Sequence, residues 1–269
     1  MQRMLTNLLI TLALGYAILV ALVFLFQSRL IYFPDKLIAV TPQAYGLAYE
    51  DVRLRTEDGE TLAAWWMPAP AARGAVLLFH GNAGNISHRI DYAKMFHTLG
   101  YSTLLLGYRG YGASTGSPTE EGTYRDALAG WRWLTETRGL APVDIVIFGE
   151  SLGGGIATWL AVQQTPRALV LASTFTSVPD LAAQIYPFLP VRLISRYRYD
   201  NLERVSQLKL PIFIAHSPQD EIIPFAHGRR LYAAVRGPKT FLEMEGGHNE
   251  GMVFARDAWM RALAGFLAK

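Results

Sequence analysis

The segment GESLG at residues 149–153 holds a serine, Ser151, with a glycine two positions away on either side. The mostly apolar run VDIVIF precedes it, and a helical pattern begins at Leu152 and extends to Gln163. A G-x-S-x-G nucleophile elbow requires this strand–turn–helix context. Glycines at those positions remove Cβ atoms that would clash in a strained turn, and the helix N-terminus favours a developing negative charge. The segment therefore predicts that Ser151 is a nucleophile.

A glycine-rich segment after a strand is also found in plain tight turns and in phosphate-binding loops. The P-loop needs a lysine, in G-x-x-x-x-G-K-[ST], and no lysine follows here. A serine hydroxyl is a weak nucleophile until a base removes its proton. With this type of elbow the partners follow in the chain order serine, Asp or Glu, histidine. The base and the acid are therefore expected after residue 151.

His248 and Asp220 are the predicted base and acid. His248 stands in EGGHN, directly after the last predicted strand, where the glycines allow a loop to bring an imidazole over the sheet edge. Asp220 stands in HSPQD, after a strand predicted to end at residue 215. The alternatives are a solvated loop histidine at 248, a helix-capping role for Asp220, and Glu221 or Asp200 as the acid.

Two backbone amides are expected to bind the oxyanion of a tetrahedral intermediate. One belongs to the residue after the nucleophile, Leu152, and the other to Asn82 in the loop HGNAGN after the third strand. His80 begins that loop and is expected to be structural, since it precedes the serine in the chain. No histidine pair has metal-ligand spacing such as H-E-x-x-H, so neither a metal nor another cofactor is predicted.

Short apolar runs alternate with longer periodic segments and must position these residues. Strands are predicted over residues 50–56, 61–67, 75–79, 102–106, 144–148, 168–172, 212–215 and 240–244. Helices are predicted over residues 88–99, 119–137, 152–163, 225–235 and 250–267. The first two strands form a hairpin, and the other strands, continuously apolar and separated by helices, indicate a parallel sheet covered on both faces. The fold class is α/β, with one doubly wound catalytic domain over residues 37–269.

The N-terminal region is apolar over residues 4–26, which is 23 residues without a charge. At about 1.5 Å per residue, a helix of that length crosses a hydrocarbon core of about 30 Å. A cleaved signal peptide has a shorter apolar region and a small-residue cleavage site, which FLFQSR does not offer. A buried core helix is the other alternative. We expect residues 1–36 to form one membrane anchor with its flank, followed by a short linker between Pro34 and Pro42.

Lysine and arginine are nearly balanced around this span, with Arg3 and the terminal amine on one side and Arg29 and Lys36 on the other. The short N-terminal tail favours an exported catalytic domain. The composition is 51% hydrophobic and 17% charged, which argues against a disordered chain. The net charge is only +3 and no basic face is clustered, so a nucleic-acid partner is not expected. The absence of cysteine excludes disulfides and zinc–thiolate sites.

The chain resembles the α/β-hydrolase superfamily over residues 45–269. The motifs that carry the resemblance are FHGNAGN, YRGYG, GESLGG, Asp220 and His248. Together with an N-terminal anchor followed by LIYFP, they are most similar to the membrane-anchored Bem-type branch. The resemblance implies relatives among lysophospholipases, monoacylglycerol lipases, depalmitoylating thioesterases and serine aminopeptidases. Tyr108 stands where many members carry an acid, so Arg109 is expected to pair with Glu150 or to lie on the surface.

The resemblance also implies a lid over the acyl pocket, formed by residues 174–208 after the sixth strand, and this lid is short. Four of its apolar side chains are predicted to bind substrate: Tyr186, Phe188, Leu189 and Leu193. The neighbouring Arg192, Arg196 and Arg198 give a basic margin that suits a lipid with an anionic head group at a bilayer. Packing of the lid onto the core is the alternative role for these residues.

The predicted function is hydrolysis of carboxylic esters or thioesters through Ser151, His248 and Asp220, with a small acyl ester or lipid as the substrate and a membrane as the partner. A serine aminopeptidase with the same triad is the alternative, and it would need an acidic pocket for a substrate amine. A non-catalytic membrane scaffold on the same fold is the third hypothesis.

Overall fold

A sheet of eight strands forms the centre of the computed structural model, which describes residues 1–250 and 256–268. In chain order the strands are β1 (Glu50–Arg55), β2 (Thr61–Met67), β3 (Ala75–Phe79), β4 (Ser102–Leu106), β5 (Ile145–Glu150), β6 (Ala168–Ala172), β7 (Ile212–His216) and β8 (Lys239–Glu243). Their order across the sheet is β8-β7-β6-β5-β3-β4-β2-β1. β1 and β2 form an antiparallel hairpin, β2 lies antiparallel to β4, and the other neighbours are parallel. The predicted hairpin and mostly parallel sheet are confirmed.

Helices cover both faces of this sheet. In chain order they are α1 (Gln2–Leu25), α2 (Gln27–Ile31), α3 (Ile90–Thr98), α4 (Glu120–Arg132), α5 (Leu152–Gln163), α6 (Val178–Ile185), α7 (Val191–Ile194), α8 (Asn201–Gln207), α9 (Ala226–Ala234) and α10 (Arg256–Leu267). Successive side chains of a strand point to opposite faces. In β5, Ile145 and Ile147 therefore join the core beneath α4, α5, α8 and α9, whereas Val146 and Phe148 join the core beneath α3 and α10.

Several predicted elements have shifted ends. The helix predicted over residues 119–137 begins one residue later, because the Thr119 side chain caps it and accepts a hydrogen bond from the Gly122 amide. Its final part, Trp133–Thr137, is a π-helix. The helix predicted from residue 88 begins after a 3₁₀ turn. Of the helix predicted over 250–267, residues 251–255 lie outside the described part of the chain.

The N-terminal helix α1 is 24 residues long, has a mean hydropathy of 2.8 over its most apolar 18-residue window and has no buried residue. Its length is about 36 Å at the rise of an α-helix, which exceeds a hydrocarbon core of about 30 Å. Length and composition alone fit an anchor or a signal sequence. The alternative of a buried core helix is wrong, since every side chain of α1 is at least partly exposed.

The segment after α1 packs against the rest of the chain and is not a free linker. Phe33–Pro34 forms a short parallel strand with Ala83–Gly84, directly beside the loop that follows β3. Tyr32 is buried, and its hydroxyl lies 2.7 Å from the hydroxyl of Tyr199. The expectation of a linker beginning at Pro34 is therefore wrong at its first residues. Proline suits this position because the amides that donate to the partner strand belong to Phe33 and Asp35, on either side of Pro34. The strand therefore needs no N–H from Pro34 itself.

Candidate active site

Ser151 lies in a strained turn between β5 and α5. Its backbone has φ +52° and ψ −118°, a region that costs a non-glycine residue about 1–3 kcal/mol. Two hydrogen bonds hold the turn: the Ser151 amide donates to the Ala172 carbonyl at 2.9 Å, and the Thr174 hydroxyl donates to the Ser151 carbonyl at 2.7 Å. The turn places the hydroxyl at the N-terminus of α5, where the helix dipole favours negative charge.

The two glycines of GESLG are required by close packing. A Cβ at Gly149 would lie 2.5 Å from the carbonyl oxygen of Gly153. A Cβ at Gly153 would lie 2.3 Å from the carbonyl oxygen of Phe79, at the end of β3. Neither position has room for a side chain, so the spacing of the motif follows from the contact between the elbow and the neighbouring strand.

The structure brings Ser151, His248 and Asp220 together at the carboxyl edge of the sheet. His248 Nε2 lies 3.1 Å from Ser151 Oγ, and His248 Nδ1 lies 2.8 Å from Asp220 Oδ2. Ser151 follows β5, Asp220 follows β7 and His248 follows β8. The backbone amides of Ile222 and Ile223 donate to the other oxygen of Asp220, at 3.0 and 2.7 Å. This carboxylate is therefore fixed on both of its oxygens.

The competing carboxylates have other contacts. Glu221 accepts a hydrogen bond from the backbone amide of His248 at 2.9 Å, so it holds the loop and not the imidazole ring. Asp200 caps α8 by accepting from the Glu203 amide at 3.1 Å. Of the three carboxylates considered, Asp220 is the one that contacts the ring of His248.

His216 is a contact of Asp220 that sequence reasoning missed. Its Nε2 lies 3.3 Å from Asp220 Oδ2 and 2.9 Å from the carbonyl oxygen of Ile223, and the ring is fully buried. Burial opposes ionisation of Asp220, but hydrogen bonds from His216 and His248 outweigh it and lower the pKa of the carboxyl. The spacing of four residues between His216 and Asp220, directly after a buried strand, was the available signal.

Asn82 and Leu152 line the same cleft as Ser151 and His248. The carbonyl of Asn82 accepts hydrogen bonds from the Tyr111 hydroxyl at 2.7 Å and from the Phe33 amide at 2.9 Å. Its side-chain amide donates to the carbonyl of Ile31 at 2.9 Å. The segment after α1 thus helps to orient the loop that carries Asn82.

His80 holds the start of this loop. It is fully buried, its Nδ1 lies 2.7 Å from the carbonyl oxygen of Gly81, and its own carbonyl accepts from the Tyr108 hydroxyl at 2.8 Å. Burial lowers the pKa of His80 to about 4, so the ring is neutral near pH 7. Tyr108 supports the loop through this hydrogen bond from its hydroxyl to the His80 carbonyl.

Arg109 contradicts both sequence expectations, because it neither pairs with Glu150 nor lies on the surface. It is buried, and its guanidinium contacts Asp126 at 2.8 Å and Asp58 at 2.7 Å. The partner of Glu150 is Arg89, at 2.5 Å. Burial opposes ionisation of Glu150, but the charge of Arg89 prevails and lowers the pKa of this carboxyl. Charge pairing of this kind depends on the tertiary packing of α3 and α4, which sequence spacing does not reveal.

The cleft around Ser151 has a volume of about 380 Å³. Of the residues predicted to bind substrate, Tyr186 lines this cleft, whereas Phe188 and Leu189 line a neighbouring cavity. Leu193 is 88% exposed and lines neither. Within the described residues, no group of three or more His, Asp or Glu side chains is placed to hold a metal ion.

Comparison with known proteins agrees with the fold and the position of the motifs. Residues 74–249 match the family described as alpha/beta hydrolase fold, and the chain belongs to this family. Its relatives include protein bem46 of Schizosaccharomyces pombe, which is 35% identical over 225 residues, 77% of this chain and 74% of the relative. The chain is thus a member of the Bem-type branch, as its motifs indicated.

Another relative is the lysophosphatidylserine lipase ABHD12 of Danio rerio, 32% identical over 251 residues, which are 78% of this chain and 64% of that protein. Among solved structures, the Pyrococcus furiosus esterase Pf2001 superposes with a TM-score of 0.73 at 19% identity, over 88% of this chain and 97% of the esterase. At that identity the likeness concerns the fold.

Proposed function

We propose that this protein is a membrane-anchored serine hydrolase that cleaves carboxylic ester or thioester bonds. The observation that carries the proposal is the continuous hydrogen-bonded series from Ser151 Oγ through His248 to Asp220, at 3.1 and 2.8 Å. No part of this series depends on a cofactor.

The proposed reaction begins when Ser151 Oγ attacks the carbonyl carbon of the acyl group and its proton passes to His248 Nε2. The ionised Asp220 accepts from His248 Nδ1–H, which leaves Nε2 free to take the proton and stabilises the imidazolium that forms. His248 then protonates the departing alcohol or thiol, and an acyl-enzyme remains on Ser151. Water, deprotonated by the same nitrogen, attacks the acyl carbon, and the proton returns to Ser151 as the carboxylic acid leaves.

The proposed oxyanion donors are the backbone amides of Leu152 and Asn82. Leu152 is the first residue of α5, so its amide is among the four of that helix without an intrahelical partner. Asn82 lies across the cleft, in the loop held by Tyr111 and by the Phe33–Pro34 strand. Such preorganised donors supply about 2.7–4 kcal/mol each to acyl transfer.

We propose lipid-like acyl esters as the substrates. The cleft next to Ser151 is lined by Leu30, Ile31, Phe175 and Val178, an apolar set suited to an acyl chain. The relative ABHD12 is named a lysophosphatidylserine lipase, which supports a single-chain lipid as the substrate class. The apolar helix α1 would keep the domain at the membrane where such lipids occur.

A serine aminopeptidase is less well supported. A substrate amine would need a free carboxylate near Ser151. Among the described residues that line the cleft, the one carboxylate is Glu150, and it is already paired with Arg89 at 2.5 Å.

The decisive variant is Ser151→Ala. It is expected to abolish hydrolysis of p-nitrophenyl butyrate and labelling by a fluorophosphonate probe. Its circular dichroism spectrum and its thermal unfolding should remain those of a folded protein. Ser206→Ala, on α8, removes a hydroxyl that donates to the Glu203 carbonyl of the same helix, and it should retain both activities. Full activity of Ser151→Ala would refute the proposal. Parallel panels of lysophospholipids and aminoacyl arylamides separate the esterase from the peptidase.

A further inference from the structure

A second cavity, which we call the groove, lies between the N-terminal helices and the segment 174–208. Leu19 and Val23 of α1 line one wall, and Leu189 and Val191 line the other. The groove has a volume of about 260 Å³. The groove is apolar. It lies between α1, which is long enough to span a membrane, and the segment 174–208.

The groove and the cleft share one wall. The residues that line both are Leu30, Ile31, Val178, Ala182 and Tyr186. Since the cleft also contains Ser151 and His248, these five residues lie between the groove and the part of the cleft that holds the serine.

Hydrogen bonds fix α1 and α2 against the segment 174–208. The buried Gln27 side chain donates to the Ile194 carbonyl and accepts from the Arg196 amide, both at 2.8 Å. Nearer the N-terminus of α1, the Tyr16 hydroxyl donates to the Phe188 carbonyl at 2.8 Å. The groove is therefore built from two elements held in one arrangement, and α1 is more than a flexible tether.

Tyr16 shows how far along α1 the groove residue Phe188 lies. Tyr16 lies nine residues before the end of α1 at Leu25, a distance of about 14 Å along the helix axis. Phe188, bonded to it, is 61% exposed, and Leu193 is 88% exposed. In a membrane-spanning α1, Phe188 would lie at the depth of the hydrocarbon, where its exposure to water is replaced by contact with lipid chains.

Charged groups mark the opposite end of the groove. The guanidinium of Arg29 lies 5.3 Å from the ring centre of Phe26, and that of Arg196 lies 5.7 Å from the ring centre of Phe24. Arginine beside aromatic rings at the end of a span is typical of the membrane–water interface. The head-group level therefore lies near the cleft, and the hydrocarbon level lies along the groove.

We propose that the acyl chain of a single-chain lipid passes from the bilayer along this groove to Ser151, with α1 as one wall of the acyl-binding site. The inference rests on the proposed function, since it assumes that Ser151 cleaves an acyl ester. The head group stays at the interface beside the arginines, and the ester carbonyl reaches the cleft without the chain crossing water.

The test fills the groove and leaves the cleft intact. Leu19→Trp adds a bulky ring to the α1 wall, away from the residues shared with the cleft. With the full chain in phosphatidylcholine vesicles, hydrolysis of monopalmitoylglycerol is expected to fall about tenfold or more. Hydrolysis of p-nitrophenyl butyrate, whose chain is too short to reach α1, is expected to stay at the wild-type rate.

The matched control is Leu14→Trp. Leu14 lies on the same helix and is 60% exposed, but it does not line the groove. The Leu14→Trp variant should hydrolyse both monopalmitoylglycerol and p-nitrophenyl butyrate at the wild-type rate. An unaltered ratio of long-chain to short-chain hydrolysis in Leu19→Trp would overturn the inference, as would an equal loss in Leu14→Trp.

A second measurement uses the unaltered chain, so it does not depend on how a variant folds. The probe is a long-chain alkyl fluorophosphonate with a terminal diazirine. Ser151 Oγ forms a bond to its phosphorus, fluoride leaves, and the serine proton departs through His248. Irradiation then expels N₂ from the diazirine, and the carbene at the chain end inserts into a neighbouring bond. Mass spectrometry should find the cross-link on α1, α2 or residues 185–194, and a cross-link confined to other segments would overturn the inference. Absence of labelling at Ser151 would instead refute the proposed function.

Discussion

Gly153→Ala is expected to disable the site although it removes no polar group. A Cβ built on Gly153 would lie 2.3 Å from the carbonyl oxygen of Phe79 and 2.7 Å from that of His80. Real Cβ contacts essentially never fall below 3.0 Å, so the backbone must separate by about 0.7 Å. Both contacts are main-chain atoms, and no flexible side chain is available to move aside.

The displaced backbone leads directly into the loop that carries Asn82. A shift of this size would move the proposed oxyanion amide away from the reacting oxygen, and loss of one such donor lowers kcat by about 10²–10³-fold. Overpacking of a tight contact costs about 1–3 kcal/mol of unfolding free energy. Domains are stable by about 5–15 kcal/mol, so the variant should still fold.

The assay is kcat for p-nitrophenyl butyrate, measured together with urea unfolding on the same preparation. Gly265→Ala is the matched control, because it lies on α10 and, among the described residues outside the adjoining backbone of that helix, none has an atom within 4 Å of a Cβ built there. We expect the control to keep its activity and stability. If Gly153→Ala had wild-type kcat and wild-type stability, the packing of the elbow against β3 would not limit the position of Asn82, and the reasoning would fail.

Two further predictions concern buried charge. Asp220→Asn should lower kcat by about 10⁴-fold, because an amide does not hold His248 with its Nε2 free. The folded-state pKa of Asp220 lies below the ordinary value of 3.8. The ionised carboxylate therefore adds to the free energy of unfolding above pH 3.8, and this contribution is lost as the pH falls from 3.8 toward the folded-state pKa. The stability gap between wild type and Asp220→Asn in urea unfolding should therefore shrink from pH 5 to pH 3, and a constant gap would contradict the assignment. Arg109→Ala should reduce the unfolding free energy by about 3–5 kcal/mol, since it leaves Asp126 buried without its partner. The more exposed Arg125→Ala should cost less than about 1 kcal/mol, and equal losses in the two variants would refute the burial argument.

The sheet was predictable because its signals are local. Parallel strands buried on both faces must be apolar throughout, and runs such as IVIF and AVLLF have that property. The chain order of a serine, an acid and a histidine, each after a strand, directed attention to Ser151, Asp220 and His248. The structure places Ser151 Oγ 3.1 Å from His248 Nε2 and His248 Nδ1 2.8 Å from Asp220 Oδ2.

The errors fell where side chains from distant segments meet. Arg109 pairs with Asp58 and Asp126, and only the packing of the folded chain brings these two carboxylates to it. The four-residue spacing between His216 and Asp220 was too weak a signal to assign their contact, because histidines at the ends of strands also occur as plain structural residues. The segment at Pro34 looked like a linker, since a two-residue strand has no detectable periodicity.

The sequence by itself determined the kind of sheet, the turn at Ser151 and the apolar span of α1, because each depends on the periodicity of neighbouring residues or on the small volume of glycine. Only the tertiary structure decided which carboxylate faces His248, which charges are neutralised inside the fold, and that α1 borders the groove beside the cleft. Those contacts join residues far apart in the chain, and their distances are set by how the helices pack on the sheet.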